Sequence, residues 1–75
     1  MKKKYWIGSN PEFCDICHFK FKSVFIDMAT RLDSIWMGAW GCSCPKCHKK
    51  FGIGLGTGKG QKYKKDEKGW FKIAG

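Results

Sequence analysis

At 75 residues the chain reads as one domain, residues 1–75, too small for a hydrophobic core to supply enough stability unaided, so a staple is expected. An odd cysteine count argues against a secreted disulfide scaffold. No stretch approaches the about 20 apolar residues of a membrane span, and no apolar export segment follows Lys2, Lys3 and Lys4, so the expected compartment is the cytoplasm and no membrane partner is expected. The formal net charge of +9 points to polyanionic or acidic partners, because between Lys46 and Lys65 every charged residue is a lysine.

Residues 1–4 are expected to form a frayed basic start. Tyr5-Trp6-Ile7 reads as a short strand or a strip packed across the core, and Gly8-Ser9-Asn10-Pro11 as a turn cluster. Phe13 leads into Cys14-Asp15-Ile16-Cys17. Lys22 to Met28, centred on Val24-Phe25-Ile26, is rich in β-favouring residues and predicts a strand. Ala29 to Ser34 reads as a hairpin loop or one helical turn. Ile35-Trp36-Met37 and Ala39-Trp40 predict an antiparallel return strand that delivers the chain to Cys44-Pro45-Lys46-Cys47. Gly52, Gly54, Gly56, Gly58 and Gly60 then exclude a regular helix, since each costs about 1 kcal/mol against Ala. They predict an irregular loop or a strand with close backbone approach. Gln61 to Lys65, the turn Asp66-Glu67-Lys68-Gly69 and Trp70 to Ile73 predict a C-terminal hairpin, with Trp70 and Ile73 packed on the domain. The expected fold is a small β-rich metal-stabilised domain, a zinc ribbon with antiparallel strands.

The metal expectation rests on two C-x-x-C pairs. Each can aim two thiolates at one ion from a tight turn, and Pro45 suits such a turn. Cys14, Cys17, Cys44 and Cys47 together make the closed four-thiolate shell of one structural Zn2+. Such an ion contributes about 10–16 kcal/mol to folding. Iron fits the same sulfurs geometrically. Cys42 is expected to be a small buried residue rather than a competing ligand. His18 and His48 each follow a pair, giving the Cys-x-x-Cys-His pattern of c-type haem attachment. Haem would require export and further axial ligands, for which only Met28 and Met37 remain. Both histidines are therefore expected at the surface or as donors beside the metal.

No nucleophile–base pair or paired carboxylates suited to catalysis stands out, and no enzyme is expected. Cys44 to Lys50 resembles the C-terminal metal knuckle of HNH endonucleases. In that family a His pair, including an Asp-His step, lies between the cysteine turns and carries the catalytic metal and base. Here residues 18–43 hold Asp27 and Asp33 but no His after His18, so the resemblance covers the scaffold and not the chemistry. The glycine run is no phosphate loop either. Walker A would need Gly where Ile53 stands, and G-x-G-x-x-G fails in every register. Its backbone N–H groups beside lysines can still line an anionic surface, or the run is simply a flexible loop.

Phe13-Cys14-Asp15-Ile16-Cys17, Phe25-Ile26-Asp27, Trp40-Gly41, Cys44-Pro45-Lys46-Cys47-His48-Lys49-Lys50 and Gly52 to Tyr63 together resemble a group of small zinc-finger proteins of bacteriophages and prophages. The resemblance spans residues 13–63, with Trp70 to Gly75 as a closing strand. It implies phage origin, and hence a bacterial host cytoplasm, and metal binding by the same four cysteines. The expected function is a zinc-binding accessory protein that binds nucleic acid through Lys46, Lys49, Lys50, Lys59, Lys62, Lys64 and Lys65, with Tyr63 as a stacking residue. Lysines are point charges and Arg31 is the sole arginine, so phosphate contact should dominate over base reading. The alternative is a module that docks on an acidic host protein of transcription, replication or defence. An inert virion-associated role is a third reading.

Overall fold

The computed structural model describes residues 3–75. Strand β1 spans Val24–Ala29, β2 Trp40–Ser43, helix α1 Pro45–Phe51, β3 Gly60–Asp66 and β4 Gly69–Ala74. The strands form one antiparallel sheet in the order β2-β1-β3-β4. The small β-rich architecture and its C-terminal hairpin follow the sequence expectation.

β1 carries the longest β-favouring apolar run and takes an inner position in the sheet. Phe25, Ile26, Met28 and Ala29 are all buried, so both its faces are covered. Met28 stands in register with Gly41 on one side and Gly60 on the other. Neither neighbour has a side chain, which leaves room for the thioether. Phe25 is the centre of the core. It stacks on Tyr63 at 5.1 Å and on Phe21 at 5.3 Å, and meets the rings of Trp70 and Trp6 edge-on at 4.8 and 5.4 Å. The same cluster includes Cys14 and Cys47, so the aromatic core abuts the cysteine turns directly.

Three expectations about local structure are corrected. The return strand over 35–40 is instead a series of overlapping turns, and β2 begins only at Trp40. Met37 and Gly38 adopt left-handed backbone, φ 48 and 84, which an extended strand cannot contain. Second, Pro45–Phe51 is a helix and not merely a tight turn. Third, Ile73 is 45% exposed, and only Trp70 of the predicted packing pair is buried.

The frayed start expected over residues 1–4 falls partly outside the described residues, and the part that is described pairs with β4. Lys2 lies outside the described residues. The Lys4 carbonyl accepts the Lys72 N–H at 2.8 Å, Tyr5 bridges Phe71, and Trp6 N–H donates to the Trp70 carbonyl at 2.8 Å. This short pairing covers the outer edge of β4. Asp66 anchors it. Its Oδ2 accepts from the Tyr5 hydroxyl at 2.6 Å and from Lys3 Nζ at 3.3 Å, while Oδ1 accepts the Lys68 and Gly69 N–H groups of the hairpin turn.

The Tyr5–Asp66 hydrogen bond sets a pH dependence. It raises the Tyr5 phenol above its ordinary value of 10.0, with burial and the Asp66 charge adding to the effect. A raised folded-state pKa means that the contribution is complete below the unfolded value of 10.0 and is lost as pH rises through the folded one. Asp66→Asn keeps an acceptor for the turn but removes the charge. Phenolate absorbance should then show Tyr5 titrating at lower pH than in the parent. An unchanged Tyr5 titration would refute the pairing.

Candidate metal centre

The first cysteine pair sits on a turn closed by its own backbone. Cys14 N–H donates to the Phe19 carbonyl and His18 N–H to the Cys14 carbonyl, both at 2.9 Å. His18 takes left-handed backbone, φ 64, to end the turn, and its side chain is exposed. Within the turn the N–H groups of Ile16 and Cys17 point at Cys14 Sγ, at 3.4 and 3.5 Å. That is the N–H to sulfur arrangement which short spacing allows.

The second pair sits on the first turn of α1. Pro45 opens this helix, where its missing N–H costs nothing and its fixed φ fits. His48 N–H returns to the Cys44 carbonyl at 3.0 Å. Cys44 and Cys47 lie at i and i+3 and therefore face the same way. A seven-residue helix does not persist alone in water. Here the cysteine pair holds one end. At the other end Phe51 packs on Trp36 at 5.0 Å, and its carbonyl accepts the Arg31 N–H at 2.8 Å.

The four sulfurs converge. Every pair among Cys14, Cys17, Cys44 and Cys47 lies within 4.8 Å, and Cys17 Sγ stands 3.7 Å from Cys44 Sγ. Thiolates at about 2.3 Å from a tetrahedral zinc ion would stand about 3.8 Å apart. The cluster is therefore positioned to hold one metal ion. Burial pushes the Cys14 thiol up, but the backbone N–H groups of Cys17, Cys44 and Ile16 outweigh it and bring it down to about 7. Burial, with the neighbouring sulfurs, drives Cys47 upward. Metal uptake must displace such protons, so affinity should rise with pH.

Cys42 stands outside this sulfur group. Burial first, then the charges of Asp27, Asp15 and Cys14, pushes its thiol up to about 12, which keeps it protonated. Its backbone has a structural task that sequence reasoning missed. Asp15 N–H donates to the Cys42 carbonyl and Asp15 Oδ2 accepts the Cys42 N–H, both at 2.8 Å. The first cysteine turn thereby docks on the free edge of β2 and satisfies it. The available signal was a carboxylate placed inside the first C-x-x-C.

His48 ties the glycine run to α1. Its Nε2 lies 3.0 Å from the Gly54 carbonyl, and a carbonyl can only accept, so Nε2 carries the proton. Gly52 packs so closely on the His48 ring and carbonyl that any side chain there would collide. The run from Ile53 to Lys59 is irregular loop, as expected, and Gly60 opens β3 in a buried position.

The predicted lysine surface is only partly contiguous. Lys46, Lys49 and Lys50 are exposed and share one stripe of α1. Lys59 is exposed in the loop before β3. Lys62 and Lys64 alternate onto one face of β3, in register with Ile26 and Val24. Lys65 falls on the opposite face, 5.8 Å from the Trp70 ring. Tyr63 is a correction. It is only 9% exposed and stacked against Phe25, so its ring is core and has no free face for a base.

Fold and site define a small β-rich domain with four cysteines positioned to hold one metal ion. In comparisons with known proteins no family model matches this chain, and no curated protein or solved structure matches it.

Proposed function

We propose that this is a phage-type accessory protein in which one structural Zn2+ fixes a lysine-rich surface that binds nucleic acid mainly through its phosphates. The phage assignment is supported by the motif resemblance in the sequence, and zinc by the all-thiolate donor set and its spacing. One observation carries the binding reading. The ion pairs among the described residues are Lys3–Asp66 and Arg31–Asp33, so Lys46, Lys49, Lys50, Lys59, Lys62, Lys64 and Lys65 are all uncompensated. Lys46 and Lys50 even stand at i and i+4 on α1, where like charges repel, a cost that a polyanion removes.

Affinity for short DNA and RNA should fall steeply with salt, because each phosphate contact releases counterions. Replacing Lys49 and Lys50 together by Ala should weaken binding to all sequences alike. The log–log salt slope should drop by about 0.7–0.9 for each phosphate that is no longer neutralised. Binding absent at low salt, or indifferent to salt, would refute the reading.

A second reading, docking on an acidic host protein, has its own support. Leu32, Ile35, Met37 and Trp40 are large apolar side chains left exposed on and just after the turns that follow β1. Capture of a protein partner that survives nuclease treatment and is lost on Ile35→Glu would favour docking. Capture abolished by nuclease favours nucleic acid.

A further inference from the structure

A groove of about 370 Å³ runs between the end of the first cysteine turn and the start of α1, lined by Phe19, Lys20, Phe21, Lys22, Val24 and Pro45 among others. It lies within the about 300–1,000 Å³ typical of small-ligand clefts. Its walls are mostly apolar, its basic lining residues are Lys20 and Lys22, no Asp or Glu lines it, and Cys44 of the sulfur group is also part of the lining. Lys64 is the cross-strand partner of Val24, one of the lining residues, and shares its face of the sheet.

Phe19 is the unusual member. It is 77% exposed, while Phe21 two residues later is buried in the core. Its backbone is nonetheless fixed, since the Phe19 carbonyl accepts the Cys14 N–H that closes the cysteine turn. An open aromatic ring carried on a fixed backbone beside lysines is the kind of platform by which proteins hold unpaired bases, and stacking of this kind tolerates any base. A duplex offers no such free face.

We propose that this groove seats single-stranded nucleic acid, with a base stacked on Phe19 and the adjoining phosphates on Lys20, Lys22 and Lys64. The proposal rests on the nucleic-acid reading above and narrows it to the unpaired form. It also replaces the buried Tyr63 as the stacking residue and extends the basic surface to two lysines outside the acid-free stretch.

The test measures fluorescence anisotropy of the zinc-loaded full chain with an oligothymidylate, a duplex of equal length, an abasic strand of equal length and poly-glutamate. The parent should prefer the oligothymidylate to the duplex. Phe19→Ala should weaken that binding about 5- to 150-fold, keep one metal per chain, and leave the abasic strand unaffected. Phe19→Trp should retain binding. If Phe19→Ala binds oligothymidylate as the parent does, or the parent prefers the duplex, the groove assignment fails while the nucleic-acid reading stands. Equal losses on thymidylate and abasic strands would mean that the ring only supports structure, and would also overturn the seat. Failure to bind any oligonucleotide at low salt sinks both proposals, and capture of poly-glutamate in their place, weakened by Phe19→Ala, assigns the groove to an acidic protein.

Discussion

Stripping the metal with a chelator at neutral pH should collapse the dispersed NMR spectrum of this domain rather than shift a few of its signals. The magnitudes decide this. A structural zinc site contributes about 10–16 kcal/mol to folding. Net stability for a chain of 75 residues, at about 0.05–0.15 kcal/mol per residue, is about 4–11 kcal/mol. A zinc ion's contribution therefore matches or exceeds the whole net stability expected of a chain this size. Its location makes the loss global, because the four sulfurs join the β2 edge, the start of α1 and the aromatic cluster around Phe25. Cys47→Ser should behave as chelation does, since Cys47 is a buried member of the sulfur group. Cys42→Ser should keep one metal per chain, because its sulfur lies outside the group. Elemental analysis separates zinc from iron in the same measurement. A chelated protein with an unchanged, dispersed spectrum would remove the basis for the whole account.

The parts legible in the sequence were those encoded within a few residues. Two C-x-x-C pairs declare a cysteine cluster fit to hold one metal ion, because the spacing itself aims the sulfurs. Asp66 to Gly69 declares the C-terminal hairpin, because an Asp followed by Gly at the turn can satisfy its own backbone. What stayed hidden depends on distant partners. Ile35-Trp36-Met37 has strand composition, yet the turns around Ser34 and the left-handed pair Met37 and Gly38 coil it, and β2 is the unpromising Trp-Gly-Cys-Ser instead. That strand exists because β1 holds one edge and Asp15 the other. Helix α1 is too short to show a period. Its markers were Pro45 at the first position, basic residues in the last turn and Gly52 immediately after. Tyr63 was misread although its neighbours held the signal. Lys62-Tyr63-Lys64 alternates polar, apolar, polar, which turns the ring inward while the lysines face out.

Phe25→Ala should cost the zinc-loaded protein about 3–5 kcal/mol, the range for deleting a buried aromatic ring. The upper half of that range is expected, because Phe25 is fully buried and touches four other rings. Those rings come from the chain start, the segment before β1, β3 and β4. None can shift into the space without releasing its own strand or turn, so the cavity should stay open. For a domain of this size the thermal midpoint should fall by more than about 10 °C. Metal affinity should weaken with it, since Cys14 and Cys47 pack in the same cluster and lose a wall. Tyr63→Phe is the contrasting variant. Its hydroxyl makes one long bond, to Gln61 at 3.3 Å, so the ring stack survives and stability should change little. Oligonucleotide affinity should also survive in Tyr63→Phe, as it must if the ring faces Phe25 and not a base. A Phe25→Ala protein melting near the parent would mean that the rings are not packed as a unit. The sheet would then owe its order to the metal alone.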